Sequence, residues 1–143
     1  MSVLIAKNTL EAGGYTCVLT DGTSFFTSFH RGVKPLVQFL DQKNTPENLF
    51  AADKVVGRAT AYLYVLLKIQ SLYAKVISEP AIAVLRSHGI AVSYESLVPN
   101  IINRRGDGIC PFEEAVMGID DPIAAYDAIL KKMNVLQIKL YDT

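Results

Sequence analysis

The sequence predicts an α/β fold: a three-layer α/β/α sandwich whose mixed sheet carries an antiparallel hairpin near the N-terminus. Two patterns support this prediction. Two runs rich in β-branched and aromatic residues, 15–20 and 23–29, flank an Asp-Gly dipeptide at 21–22 that is typical of a tight turn. Further along, short apolar runs at 72–77 and 90–94 are separated by a helical segment. That order predicts a parallel strand pair with a right-handed crossover.

The first third of the chain predicts a helix, the hairpin and a second helix. Ser2 is a suitable N-cap for the first helix, and the glycines at 13–14 end it. Pro35 suits the first turn of the second helix, because the N–H that proline lacks has no helical partner there. This helix runs to about Asp41, and a polar loop at 42–47 follows it.

The second third predicts a buried helix and then the strand–helix–strand unit. Apolar residues between 53 and 68 leave little polar face, so the helix predicted over this range is buried on more than one side. A strand at 72–77, a helix at 80–88 that ends at Gly89, and a strand at 90–94 follow.

The last third predicts a loop and two helices. The loop at 98–109 is rich in arginine, asparagine and glycine, and the dipeptides Cys-Pro at 110–111 and Asp-Pro at 121–122 each begin a helix. The last helix turns three residues inward, Ala125, Ile129 and Met133. The segment 135–141 alternates apolar and polar residues, which predicts a further strand or a surface that packs on a second copy. A two-fold homodimer is therefore expected.

The composition predicts a single domain over residues 1–143. Half of the residues are hydrophobic and 20% are charged, which is usual for a globular protein and too apolar for a disordered one. The 14 Lys+Arg balance the 14 Asp+Glu. Because nucleic acids and membrane surfaces attract a basic excess, neither is an expected partner.

The sequence also predicts a cytoplasmic protein. The most apolar stretch, 59–67, is about half as long as a bilayer crossing requires, and residues 1–7 lack the pattern of a secretory signal. The cysteines, Cys17 and Cys110, fit a reducing compartment because a core of this size needs no disulfide. Cys17 lies midway along a predicted strand and is expected in the core.

The order of these elements, together with three sequence runs, resembles a known superfamily. The runs are DKVVGRA at 53–59, ISEPA at 77–81 and NRRGDGICPFE at 103–113. They resemble the cytidine deaminase-like fold and, within it, an uncharacterised prokaryotic family, domain of unknown function 1893, over roughly residues 4–130. In that superfamily zinc lies between the N-termini of two helices. The resemblance therefore implies the place of a site but no agreed activity.

The residues at those two places argue against zinc-dependent deamination. A zinc deaminase needs a His or Cys ligand with a Glu two residues later on the buried helix, and Pro-Cys-x-x-Cys on the next helix. This chain has Asp53 and Val55 at the first place and Pro80, Ala81 and Val84 at the second. Apolar side chains neither bind a metal nor move a proton, so no cofactor is expected.

Four side chains are candidates for catalysis: Asp53, Glu79, Cys110 and Glu113. Asp53 and Glu79 are predicted at two helix N-termini at the C-terminal edge of the sheet, where ligands of open α/β sheets bind. Two carboxylates in one pocket separate each other's pKa values, as acid–base catalysis at neutral pH requires. Each also suits a structural role as a helix cap or first-turn carboxylate, worth about 0.5–1 kcal/mol.

Cys110 and the loop before it are candidates for contact with a ligand. A helix start with Arg104 and Arg105 nearby would lower the pKa of the Cys110 thiol, although a small cap residue is the alternative. Asn103, the two arginines and Lys54 are candidate ligand-binding residues for a phosphate or carboxylate. A solvated turn and a solvated lysine are the alternatives.

Two functions from different classes follow from these residues. The first is a metal-independent enzyme on a small nucleotide-like or anionic molecule, with Asp53 and Glu79 as acid–base groups and Cys110 or Glu113 assisting. The second is a non-catalytic domain that binds a small ligand or another protein. The fold by itself does not decide between them.

Overall fold

The computed structural model describes residues 3–42, 46–103 and 105–141, which form an α/β fold with one five-stranded sheet. The helices are α1 (Val3–Gly13), α2 (Lys34–Asp41), α3 (Arg58–Leu67), α4 (Glu79–Ser87), α5 (Pro111–Ala115) and α6 (Pro122–Val135). The strands are β1 (Cys17–Thr20), β2 (Phe25–Ser28), β3 (Phe50–Val56), β4 (Ser71–Ser78) and β5 (Ala91–Val98). The predicted fold class is confirmed.

The sheet is mixed, with the strand order β2-β1-β3-β4-β5. β1 is antiparallel to both β2 and β3, whereas β3, β4 and β5 are parallel to one another. These pairings confirm the N-terminal hairpin and the strand–helix–strand unit. Thr20 pairs with Phe25, so the hairpin loop spans residues 21–24. Two backbone N–H groups of that loop donate to Asp21 Oδ1 at 2.9 and 2.7 Å.

The two faces of the sheet carry unequal cores. α1 packs on β1, β3 and β4 over a small cluster formed by Ala6, Leu10, Val18, Ala52 and Tyr73. The opposite face carries the larger core, to which α2, α3, α4 and α6 contribute. Fully buried members of this core include Leu19, Leu36, Leu63, Leu72, Ile77, Leu85 and Ile129. Burial of their apolar area supplies the main favourable free energy of folding.

The prediction of one helix over 53–68 is wrong in its first part. Residues 50–56 form β3, Gly57 is the N-cap, and α3 begins only at Arg58. β3 is a central strand with few exposed side chains, so its apolar run lacks the alternation that marks a half-buried strand. Asp53 is therefore a strand residue and caps no helix.

The other helices begin and end near their predicted residues. Cys110 is the N-cap of α5, and Ala125, Ile129 and Met133 of α6 are buried as predicted. Ser2 and half of the polar loop at 42–47, namely 43–45, lie outside the described residues. No helix in the described part of the chain is both long and apolar enough to cross a membrane.

The C-terminal segment does not form the predicted strand. Val135 ends α6, and residues 136–141 continue as irregular chain that packs beside α2. The Gln38 side chain donates to the Leu140 carbonyl at 2.6 Å, and the Tyr141 hydroxyl donates to Asp41 at 2.9 Å. Contact with this chain's own helix replaces the strand pairing that the alternating pattern predicted.

The N-cap of α6 offers a test of the fold away from any site. The Asp121 side chain accepts a hydrogen bond from the Ala124 N–H at 2.9 Å. We expect Asp121→Ala to lower the free energy of unfolding by about 1 kcal/mol, because this N–H then lacks an acceptor in the chain. Urea unfolding measures the change. The neighbouring Asp120→Ala is the control and should change it by less than about half as much; equal losses would contradict the capping role.

Candidate functional site

A cavity of about 390 Å³ lies at the C-terminal end of β3. Its walls come from the start of β1, the chain after β2, the end of β3, the first turn of α3, the loop after β5, and α5. The apolar and small members of the lining include Val33, Val55, Ala59, Ile101, Ile102 and Phe112. The polar members include Thr16, Cys17, His30, Arg31, Asp53, Lys54, Thr60, Cys110 and Glu113. The carboxyl end of a parallel strand is where open α/β sheets bind ligands.

A buried hydrogen-bonded group of three side chains lies against this cavity. Cys17 of β1 and Asp53 of β3 are direct cross-strand partners, and both are largely inaccessible to solvent. The Tyr64 hydroxyl, from α3, donates to Asp53 Oδ2 at 2.6 Å and lies 3.5 Å from the Cys17 sulfur. Asp53 Oδ1 also accepts from the Val55 N–H at 3.3 Å. Three separate elements therefore hold one carboxyl group in place.

The environment of Asp53 raises the pKa of its carboxyl group to about 7. Burial is the main cause, because the charged form loses its hydration. Hydrogen bonds from Tyr64 and from backbone N–H groups oppose the shift, since they stabilise the carboxylate. The pKa values of the Cys17 thiol and the Tyr64 hydroxyl are raised well above their usual values by burial and by the Asp53 charge. Asp53 is thus the group of the three that changes protonation near neutral pH.

Glu113 binds the N-terminus of α3 across the cavity wall. Its Oε1 accepts from the Arg58 N–H at 2.6 Å and its Oε2 from the Ala59 N–H at 2.8 Å. A helix N-terminus carries unpaired N–H groups and partial positive charge, so a carboxylate is stabilised there. A Cβ at Gly57 would lie 2.6 Å from the Glu113 carboxyl carbon. Glycine at this position therefore makes room for the carboxylate.

The mouth of the cavity carries an excess of basic groups. Arg31, Lys54 and His30 line it and are exposed. The two acidic groups of the lining add little negative charge, because Asp53 is partly protonated at neutral pH and Glu113 is bound to the helix N-terminus. This balance favours an anionic ligand over a cationic one.

The predicted site residues divide into two groups. Asp53, Lys54, Cys110 and Glu113 all line the cavity, and Cys110 is half-buried there. Glu79 does begin a helix, but its side chain is exposed and belongs to another surface. The predicted pairing of Asp53 with Glu79 in one pocket is therefore wrong. Asp53 does not lie at the N-terminus of α3 or α4, because it belongs to β3.

The loop residues predicted to bind an anion have other partners or lie elsewhere. Asn103 Oδ1 accepts from the N–H groups of Gly106 and Asp107 at 2.8 and 3.2 Å, which closes a local turn. Neither Asn103 nor Arg105 is among the described residues that line the cavity. Arg104 lies outside the described residues. The turn interpretation of Asn103 is the one that this geometry supports.

Several members of the site were not predicted. Cys17 was expected only as a core residue, and Tyr64 was not singled out. His30 and Arg31 follow β2 and reach the cavity because the hairpin folds against β3. The alternating pattern of residues 15–20 places Cys17 on the inward face of its strand. No residue near it in the sequence indicates that its partner is Asp53, 36 positions further along the chain. Only strand pairing brings these residues together.

The zinc site implied by the resemblance to cytidine deaminases does not fit these residues. The first turn of α3 presents Arg58 and Ala59, and that of α4 presents Pro80 and Ala81. The α3 N-terminus is already filled by the Glu113 carboxylate. Across 3–42, 46–103 and 105–141, no three His, Cys, Asp or Glu side chains are grouped closely enough to hold a metal ion.

The fold and the cavity define a class: an α/β sandwich protein with a buried, titratable carboxyl group in a pocket at the carboxyl end of a central strand. The model of a domain of unknown function, DUF1893, matches residues 5–133, and the chain belongs to that family. The crystal structure of a DUF1893 family protein from Thermotoga maritima is similar, with a TM-score of 0.84 and 31% identity. The match covers 91% of this chain and 88% of that one. No curated protein matches the chain.

Proposed function

We propose that the protein binds a small anionic molecule in the cavity and that Asp53 transfers a proton to or from it. The observation that carries this proposal is the buried Asp53 carboxyl group with a pKa of about 7 on the cavity wall. A group with a pKa near the working pH is present as both acid and base, which is the optimum for proton transfer.

The rest of the lining supports binding and orientation of such a molecule. Arg31 and Lys54 attract its negative group at the mouth, and Phe112 with Val55 contacts its apolar part. When the neutral Asp53 acid donates its proton to a bound basic atom, the resulting carboxylate keeps the hydrogen bond from the Tyr64 hydroxyl. The reverse step removes a proton from a bound acidic atom and returns Asp53 to its neutral form.

Glu113 and Cys110 have supporting roles in this proposal. Both Glu113 oxygens accept hydrogen bonds from α3, so this carboxylate holds α5 against the cavity and takes no part in proton transfer. Cys110 makes no side-chain capping hydrogen bond and contributes part of the wall.

We also propose, from the resemblance of its sequence runs, that the fold is cytidine deaminase-like. The free thiols of Cys17 and Cys110 support a cytoplasmic location.

Thermal unfolding with a panel of ligands tests the binding half of the proposal. The panel contains inorganic phosphate, small carboxylates, sugar phosphates and nucleotides, with uncharged nucleosides for comparison. An anion at a hundredfold its Kd should raise the unfolding midpoint by about 5–10 °C. We expect Arg31→Ala or Lys54→Ala to reduce that rise. The exposed Lys75 does not line the cavity, so Lys75→Ala should leave the rise unchanged.

The Asp53→Asn variant then separates catalysis from binding. For any anion that binds, we expect the variant to keep the midpoint rise and lose turnover, because asparagine accepts the Tyr64 hydrogen bond but holds no transferable proton. Equal turnover by the variant would contradict the catalytic role. If no anion raises the midpoint, or Lys75→Ala reduces the rise as much as Lys54→Ala does, the cavity is not the anion site.

A further inference from the structure

The outer edge of β5 is a surface that the cavity does not use. β5 is the last strand in the sheet order, and no described strand lies on its outer side. Long edge strands are usually protected by proline, lysine, a bulge or a covering segment. The sequence of β5, AVSYESLV, contains no proline or basic residue. β5 keeps one register with β4 from Ala91 to Val98, interrupted only where Lys75 and Glu95 do not pair. Backbone donors and acceptors along this edge are therefore available to another strand.

Exposed apolar side chains accompany this edge, and one of them, Tyr94, lies on the face that α4 covers. Tyr94 is 40% exposed and Leu97 is 43% exposed. Tyr94 pairs with Ala74, which belongs to the larger core, so its side chain lies on the α4 face of the sheet. An aromatic ring beside an open strand edge is suited to burial against a second strand.

The outer side of α4 carries opposite charges at its two ends. Glu79, Ile82 and Arg86 are three and four residues apart and lie on one side of the helix. The other side, which includes Pro80 and Val84, lines a groove shared with α3. The Glu79–Arg86 side therefore faces away from α3 and toward the β5 edge. Neither charge has an ion-pair partner within the described residues.

We propose that two copies of this chain associate through their β5 edges, antiparallel about a two-fold axis, to form a continuous ten-stranded sheet. An axis perpendicular to the sheet keeps α4 of both copies on the same face. Each α4 packs over β4 and β5, so the two helices are separated by two strand spacings, or about 10 Å. That distance is the usual separation of packed helices. The partner is a second copy of the chain because this surface is self-complementary: it carries an open strand edge and, beside it, one acidic and one basic side chain.

The same axis makes the charges complementary. α4 of one copy runs antiparallel to α4 of the other, so Glu79 lies opposite Arg86 of the second copy at both ends of the contact. Tyr94 lies between these charges, near the axis. A register that pairs Tyr94 with itself stacks two aromatic rings. A register that pairs Glu95 with itself would place two carboxylates opposite each other and is disfavoured.

Sedimentation equilibrium over a range of protein concentrations tests this dimer. We expect a mass of two chains for the natural sequence. Tyr94→Lys places two ammonium groups opposite each other and should weaken the dimer by at least about tenfold. Glu79→Arg and Arg86→Glu should each weaken it, and the double variant should restore it because the pairs re-form with exchanged signs. Circular dichroism verifies that each variant is folded.

Glu114→Ala alters an exposed residue of α5, which packs against α3 and α6, and should leave the mass unchanged. A mass of one chain at every concentration would overturn the proposal. So would a dimer that Tyr94→Lys leaves intact, or a double variant that dissociates as readily as the two single variants.

Discussion

The stability of the Asp53→Asn variant relative to the natural chain should rise by about 4 kcal/mol between pH 4 and pH 8. The folded-state pKa of about 7 lies above the ordinary value of 3.8, so the folded protein binds this proton more tightly than the unfolded chain does. The stabilisation of the folded state by protonated Asp53 is therefore fully present below about pH 4 and is lost as the pH rises through 7. Asparagine has no proton to lose, so its contribution does not change with pH.

Urea unfolding at pH 4, 5, 6, 7 and 8 measures this difference. The two free energies of unfolding should converge or cross at low pH and diverge in favour of the variant up to pH 7. Tyr64→Phe removes the hydrogen bond that stabilises the carboxylate, so it should move the pH dependence of the natural Asp53 to higher pH. Asp127→Asn is the matched control, because it alters an exposed carboxylate of α6 whose ion pair with Lys131 is also exposed and contributes little to stability. Parallel curves for Asp53→Asn and the natural chain would contradict the raised pKa.

The second large effect concerns Gly57 and Glu113. Glu113→Ala should lower the free energy of unfolding by about 2–4 kcal/mol, because two hydrogen bonds from the α3 N-terminus to a carboxylate are lost. Gly57→Ala should cost about 2–3 kcal/mol, because the new Cβ would lie 2.6 Å from the Glu113 carboxyl carbon. The Gly57 backbone is extended, with φ −101° and ψ −178°, so alanine meets no conformational barrier there.

A double-mutant cycle separates this steric effect from any other. In the Glu113→Ala background we expect Gly57→Ala to cost less than about 1 kcal/mol, because the carboxylate it would contact is gone. Glu114→Ala is the matched control, since Glu114 is a neighbouring, exposed residue of the same helix. Its substitution should change the free energy of unfolding by less than about 0.5 kcal/mol. Fully additive costs in the cycle would show that Gly57 does not accommodate Glu113.

Short-range patterns in the sequence determined most of the secondary structure. The Asp-Gly dipeptide at 21–22 and the strands beside it predict the hairpin, and the dipeptides at 110–111 and 121–122 predict the starts of α5 and α6. These features depend on hydrogen bonds and dihedral preferences within a few residues, so they are readable without a tertiary fold. For the same reason Cys110 and Glu113, beside a helix start, could be singled out as candidates for the site.

Tertiary structure alone decided the chemistry of the site. Asp53 was predicted at a helix N-terminus. It lies instead in β3, buried beside Cys17 and Tyr64, and burial raises its pKa to about 7. Glu79 was predicted in the same pocket and instead lies on the outer side of α4. A central strand buried on both faces carries no alternating pattern, so its boundary with α3 is hidden in the sequence. Strand register and burial depend on contacts between distant residues, and those contacts exist only once the chain has folded.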